Sequence, residues 1–327
     1  RPKNVEFTSN IEEDLKRRDF TINAMAYNEQ FGIVDKFNGL EDLQKRIIKT
    51  VGNPDERFEE DGLRMIRAIR FSSKLGFSID ENTLKSIYKN AYIIKNISIE
   101  RINDEFTKNL VSDNPQNIIL LYKTKILENL GIHCNLNGYY YKELERDINI
   151  LKSCDNNLLD RLIMLEYLIS NKILKCIDQH EKYKYYCENI KKVNIINNLR
   201  YSNKVINYCN DIMEYMIKDI EKIDNIVIKR YLNNIGYEKL NKVFKLKLIY
   251  NVFLDNKNKA EFFRQCIIKL NEIENSKECY KISDLDINGK ILKDLGYKGK
   301  EIGEKLNFLL DEVIKNPLLN KKDILIN

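Results

Sequence analysis

RFEEDGLRMIRAIRF, residues 57–71, places three consecutive acids and four arginines beside Met65, Ile66 and Ile69. The apolar residues recur at helical spacing. At about 100° per residue measured from Asp61, Glu60 falls near 260°, Arg64 near 300°, Arg67 near 240° and Arg70 near 180°. Met65, Ile69 and Ile66 fall near about 40°, 80° and 140°. One half of such a helix is apolar and can pack on a core, which holds the charged half toward a groove.

Two readings of the charged half stand on geometry alone. In the first it is a solvated face with i,i+4 ion pairs such as Glu60–Arg64, each contributing roughly 0.2–0.5 kcal/mol. In the second it reads a base. A carboxylate only accepts hydrogen bonds and a guanidinium only donates them. Side by side they match an edge showing an amino donor next to a ring-nitrogen acceptor, which cytosine and adenine both present. Guanine and uracil show the opposite order and would leave those groups unpaired, at about 1–3 kcal/mol each in a dry site. An Asp61–Arg64 pair would then select C and A together.

Outward from this segment the patterns are helical almost throughout. From residue 55 onward period-two alternation is nearly absent, and breaks fall near Gly76, Asn114-Pro115, Gly131, Asn137-Gly138, Gly236 and the glycines of 289–303. Upstream the text is mixed. IEEDLKRRDFTINAMAYN (11–28) starts as a charged helix and ends apolar, and GIVDKF (32–37) reads as a strand. GLEDLQKRIIKTVGNP (39–54) gives a helix passing into a short strand over 47–51, stopped at Gly52-Asn53-Pro54. The expected fold class is mostly α, with a small α/β piece before an all-helical remainder.

The bulk numbers agree. The chain has 327 residues, 43% hydrophobic and 32% charged, with only 12 Gly and 4 Pro. That is long enough for two or more domains and suits a folded, helix-rich protein. The net charge of +6 guides a polyanion only if gathered on one face. Seven single cysteines, at 134, 154, 176, 187, 209, 266 and 279, include no C-x-x-C, and His133 and His180 stand apart. Zinc sites and disulfide frameworks are therefore disfavoured and a reducing cytoplasmic setting is expected. No apolar run reaches the roughly 20 residues that cross a bilayer.

DLKRRDFTINAMAYN (14–28), GIVDKFNGLEDLQKRIIKTVGNPDERFEEDGLRMIRAIRFSSKLGF (32–77) and SIERINDEF (98–106) together resemble the bacterial tRNA nucleotidyltransferase and poly(A) polymerase family, the class II CCA-adding enzymes. The motifs stand in unbroken order over roughly the first 110 residues, and the C-terminal stretch from Ile282 is similar to the family's tail. The resemblance implies residues 1–54 as the C-terminal remnant of a nucleotidyltransferase head, 55–113 as a base-recognising neck, 114–205 as a helical body and 206–327 as a tRNA-binding tail. It implies ATP, CTP and tRNA as ligands and Mg²⁺ as cofactor. Arg17-Arg18-Asp19 matches the motif that contacts the nucleotide's sugar and phosphates, Arg18 most directly. Glu60, Asp61 and Arg64 match the base-reading element, and Arg67 and Arg70 the arginines that hold the triphosphate. Asp35, Gly39 and Asp42 fall in the hinge-like motif, where Asp35-Lys36 replaces the family's usual Asp-Pro. Ser98–Phe106 matches the element that buttresses the base reader, with Glu100 and Arg101 structural.

Transfer in this family uses a D-x-D that holds two Mg²⁺ ions, following a Gly-rich turn upstream of R-R-D. Eighteen residues precede Asp19 and none forms that motif, so the chain reads as starting inside the head, with its metal site in a missing N-terminal part. Asp284-x-Asp286 lacks the turn and is read as a decoy. The expectation is a chain that reads nucleotides without catalysing alone, with an N-terminal catalytic fragment as a candidate partner. A poly(A) polymerase, a CC- or A-adding enzyme, or a non-catalytic RNA-binding derivative stand as alternatives. In the tail, Gly296-Tyr297-Lys298-Gly299-Lys300 is read either as a phosphate site using Lys298 and Lys300 or as a helix-helix turn. Tyr139-Tyr140-Tyr141 reads as packing, and His133 and His180 lack the Asp partners of a phosphohydrolase module.

Overall fold

The computed structural model describes residues 10–132, 141–175, 195–220, 222 and 224–326. His133, His180, Tyr139, Tyr140, Cys134, Cys176, Cys187, Asn137-Gly138 and the first nine residues lie outside them. Contacts divide the chain into two compact units, Arg1–Cys209 and Asn210–Asn327.

The first unit opens with α1 (Ile11–Lys16), started by Asn10, whose side chain accepts from the Glu12 N–H. The apolar end of the charged segment is a strand rather than more helix. A 3₁₀ turn at Thr21–Asn23 leads into β1 (Met25–Asn28), antiparallel to β2 (Gly32–Asp35), with Met25 opposite Asp35. Ala26 and Val34 of this hairpin pack on Leu15, Ala24 and Val51. Asp35 then accepts from the backbone N–H groups of Phe37, Gly39 and Leu40, turning the chain into α2 (Gly39–Lys45). Burial alone would raise the Asp35 carboxyl, but these bonds outweigh it and hold it below its usual range. The expected strand after α2 shortens to β3 (Ile47–Ile48), parallel to β4 (Ser78–Ile79).

Gly52-Asn53-Pro54 both ends the first segment and starts the next. Asn53 caps α3 (Pro54–Glu60) by accepting from the Asp55 N–H at 3.0 Å, and Pro54 occupies the first turn, where its missing N–H costs nothing. α4 (Leu63–Leu75) follows and ends at Gly76 in the left-handed region, φ 67°. α5 (Glu81–Asn90) and α6 (Ile99–Leu110) complete a helical layer in which α4 packs on α6 and α3 on α5. Met65, Ile66 and Ile69 of α4 are buried, as are Ile102 and Phe106 of α6. α7 (Ile119–Lys123), α8 (Ile126–Asn129), α9 (Tyr141–Ser153) and α10 (Leu158–Lys175) extend the unit.

The second unit is helical among its described residues. Tyr237–Phe253 and Lys257–Asn275 pack as a pair, with the Tyr237 hydroxyl donating to Asn271 at 2.7 Å. A separate core gathers Ile287, Leu292, Leu306, Leu310, Val313 and Ile314. Cys154, Cys209, Cys266 and Cys279 are buried thiols outside any disulfide, and no described helix is long and apolar enough to cross a membrane.

Candidate functional site

The wheel drawn through residues 60–70 needs one correction, because the helix is not continuous. Asp61 leaves helical backbone (φ −154°, ψ 100°), so α3 ends at Glu60 and α4 starts afresh at Leu63. The Asp61 carboxylate causes part of this break. Its Oδ1 accepts from the Leu63 N–H at 3.1 Å, meeting one of the donors that a helix start leaves unpaired. Gly62 lets the break pack closely on Ile93, since a Cβ there would lie 2.9 Å from Ile93 Cγ2.

The break does not scatter the expected residues. A cleft of about 520 Å³ in the first unit is lined by Arg18, Asp19, Asn23, Asp61, Arg64, Arg67 and Phe71. Arg18 is half exposed and pairs with Asp14 at 3.0 Å. Asp61 offers its second oxygen to Arg101 Nη2 at 2.8 Å. Arg64 donates Nη1 to the Arg57 carbonyl and to Glu60, and Nη2 to the Arg17 carbonyl at 3.0 Å. Three of its five N–H groups are thus used, leaving Nε–H and one Nη2 hydrogen without an acceptor among the described residues. Asp61 and Arg64 are therefore held by protein groups yet keep capacity toward the cleft: a carboxylate has about four lone-pair sites and Asp61 has two donors on it.

Asp19 differs. Its Oδ1 accepts from the Phe20 N–H (2.9 Å) and Asn23 Nδ2 (3.1 Å), and its Oδ2 from Arg67 Nε (2.9 Å) and Nη2 (2.6 Å). Arg67 also reaches Glu105 at 3.3 Å. Burial would lower the Arg67 guanidinium, but its bonds to Asp19 and the charge of Glu105 outweigh that and hold it above its ordinary range.

Two expected site residues are not brought to the cleft. Glu60 lies outside its lining and pairs with Arg57 and Arg64. Arg70 is also outside; its side chain is 11% exposed, faces Glu105 and stacks on the Phe71 ring at 4.0 Å. A guanidinium so enclosed positions its neighbours instead of facing a ligand. The sequence reading passed over Asn23, Phe71 and Glu105. The signal for Glu105 was available, since Arg101 and Glu105 lie one turn apart on α6 and so share a face.

The cleft's carboxylates do not fit a metal. Asp19 is saturated and Asp61 is engaged by Leu63 and Arg101, and no group of three or more His, Cys, Asp or Glu able to hold an ion occurs among the described residues. The decoy pair is structural as well: Asp284 accepts from the Tyr280 and Lys281 N–H groups and Asp286 from that of Lys322. In the glycine-rich turn of the tail, Gly296 and Gly299 have φ 99° and 51°. There the Lys298 N–H already donates to Glu301, and Lys300 stands 91% exposed beside Glu304.

Residues 1–49 match a family profile described as the poly A polymerase head domain, and residues 76–131 one described as a probable RNA and SrmB-binding site of polymerase A. The CCA-adding enzyme of Ligilactobacillus salivarius is 34% identical across all of this chain and 73% of that enzyme. The one from Limosilactobacillus reuteri is 56% identical over 35% of this chain and 28% of that enzyme. Among solved structures, the Bacillus stearothermophilus CCA-adding enzyme in complex with CTP superposes with a TM-score of 0.69 at 25% identity, over 97% of this chain and 73% of that one. The Thermotoga maritima CCA-adding enzyme complexed with tRNA shares the fold at a TM-score of 0.53 and 20% identity.

Proposed function

The chain belongs to the family of CCA-adding enzymes, and from that premise we propose that it binds CTP and ATP in the cleft between Arg18 and Phe71, in the service of CCA addition to tRNA. The observation that carries this is the presence of Asp61 and Arg64 on one cleft with hydrogen-bonding capacity to spare. Asp61 accepts the exocyclic amino hydrogen of cytosine or adenine, and Arg64 donates one of its two remaining N–H groups to the adjacent ring nitrogen. Arg101 holds the Asp61 carboxylate in place, and Arg18, exposed at the rim, meets the phosphates. Arg67 acts there together with Asp19. Residues 1–54 serve as head remnant, 55–113 as neck, 114–205 as body and 206–327 as tail, Lys298 and Lys300 being candidate RNA contacts.

The family's transfer chemistry relies on divalent ions held by carboxylates, a role that Asp19 and Asp61, engaged by protein donors, do not fill. The test is nucleotide binding by the purified chain, measured by equilibrium dialysis with labelled ATP, CTP, GTP and UTP. ATP and CTP are expected to bind more tightly, and Asp61→Ala to abolish that preference. Equal binding of all four by the unmodified chain defeats the reading. Incorporation of labelled CTP and ATP into tRNA, with and without an added head fragment carrying D-x-D, then locates the transfer step.

A further inference from the structure

We propose that Tyr201, acting with Thr107 and Asn103, is a positioning residue for base selection: it fixes α6, from which Arg101 holds Asp61, and so acts on the choice of base without touching the nucleotide. This builds on the cleft reading bases through Asp61 and Arg64. The two sides of α6 have different partners. Arg101 and Glu105 stand one turn apart, and there they meet Asp61 at 2.8 Å and Arg67 at 3.3 Å. Asn103 and Thr107 lie about 200° round the helix from Arg101 and Glu105 respectively, and so face the other way. On that side they meet the stretch 199–201, which follows the helical turn Ile195–Asn198.

The direction of each proton in this contact follows by elimination. A backbone carbonyl only accepts, so the atom that Asn103 sends to the Leu199 carbonyl at 2.7 Å is its amide nitrogen. Its Oδ1 is then turned to Thr107 and accepts from that hydroxyl at 3.0 Å. Thr107 has only one proton to give. In the 2.7 Å contact between Thr107 and Tyr201 the tyrosine is therefore the donor. Donation runs from Tyr201 through Thr107 and Asn103 back to Leu199, a ring that closes on three consecutive residues. Burial pushes the Tyr201 hydroxyl up to about 12, so it keeps its proton throughout the neutral range.

The far side of the ring is firm. Leu199 is fully buried, and Arg200 stands in the left-handed region, φ 52°, with its N–H on the Asn197 carbonyl at 3.0 Å. A residue other than glycine persists there when its surroundings over-determine it, and the bonds of Leu199 and Tyr201 to α6 do so. The cleft side is held more thinly. Asp61 Oδ1 is fixed by the Leu63 N–H, but Oδ2 depends on Arg101, whose side chain is half exposed. Ile102 and Phe106 bury α6, yet apolar burial is non-directional. A binding constellation needs its groups held within about 0.5 Å. The hydrogen-bonded ring supplies that orientation, and Arg101 passes it to Asp61.

The experiment measures dissociation constants of ATP, CTP, GTP and UTP for the unmodified chain, Tyr201→Phe, Thr107→Val and Thr107→Ser, with urea midpoints to show that each is folded. Phenylalanine and valine each remove one hydroxyl at nearly constant shape, and serine keeps it. In Tyr201→Phe and Thr107→Val the preferences for ATP over GTP and for CTP over UTP should fall about three- to tenfold, the range of one neutral hydrogen bond. Thr107→Ser should keep them. A merely structural contact would lower the urea midpoint with the ratios intact, or weaken all four nucleotides by one factor; either result overturns the proposal. Should one variant fail to fold, the other carries the comparison. A Thr107→Ser chain as unselective as Thr107→Val also overturns it. Equal binding of all four by the unmodified chain defeats base reading itself, whereas an intact preference in the parent and in both hydroxyl-less variants defeats only the role of Tyr201.

Discussion

Arg67 donates to two carboxylates that lie 48 and 38 positions away along the chain, Asp19 and Glu105. Those partners are the residue-scale information that a helical wheel cannot hold, because only the fold brings them together. The types of group facing the cleft were legible: acids and arginines beside buried aliphatics. Which arginine faces a ligand was not, and Arg70 turned out to be enclosed by Glu105 and Phe71. Removing Arg67 should therefore act in two ways. Arg67→Ala leaves Asp19 and Glu105, at 11% and 6% side-chain exposure, without their shared cation. We expect a loss of roughly 3 kcal/mol in urea denaturation, the lower end for a broken buried pair because Arg67 is itself partly exposed. Affinity for all four triphosphates should fall together, with selectivity kept. A variant of unchanged urea midpoint would show that the pairs contribute nothing. Asp61→Asn separates base reading from helix capping, since an amide oxygen can still accept from Leu63 while its NH₂ group meets the base's amino donor as a second donor. Arg101 loses its acceptor in this variant, so the expected result is a stability loss of about 0–1 kcal/mol, as for an exposed ion pair, with the preference for ATP and CTP gone.

At the scale of elements, the long amphipathic helices were readable and the short joints between them were not. α4 and α6 have a clear apolar stripe, whereas the 3₁₀ turn at Thr21–Asn23 and the break at Asp61 depend on contacts from distant segments. Gly39 and Asp42 illustrate this. The resemblance placed them in a hinge-like motif; in the structure they support the turn that carries Asn23. Asp42 is 7% exposed and accepts from the Thr21 hydroxyl, and a Cβ on Gly39 would stand 2.3 Å from the Thr21 carbonyl oxygen. Asp42→Ala should cost about 1–3 kcal/mol, the usual result of stranding a buried hydroxyl. Gly39→Ala should be worse, because backbone rather than a flexible side chain blocks the added methyl. Urea midpoints rank the two, and an Asp42→Ala chain as stable as the parent would show that the Thr21–Asp42 bond contributes nothing.

At the scale of the whole molecule, the division between a mixed opening and a helical remainder followed from where period-two alternation stops, but the polar groups buried among those helices did not. Glu166 sits in an otherwise apolar run of α10, is 2% exposed, and receives only the Ile195 N–H, at 3.1 Å, among the bonds described for it. Periodicity places it on a buried face without saying how a carboxyl survives there. It does so by holding its proton: burial pushes the group from 4.5 up to about 8, the Ile195 bond pulling the other way by less. The folded chain therefore binds one more proton than the unfolded chain between pH 4.5 and about 8. Stability from this group is complete below the unfolded value and is lost as pH rises through the folded one, at about 1.4 kcal/mol per pH unit inside that window. Glutamine keeps the shape and the acceptor for Ile195 but has no proton to lose. Urea midpoints of the parent and of Glu166→Gln should therefore agree near pH 5 and diverge in favour of the variant by pH 8, the gap levelling off above the folded value. Parallel curves from pH 5 to 9 would mean that the carboxyl ionises freely in the fold, which its burial on α10 does not allow.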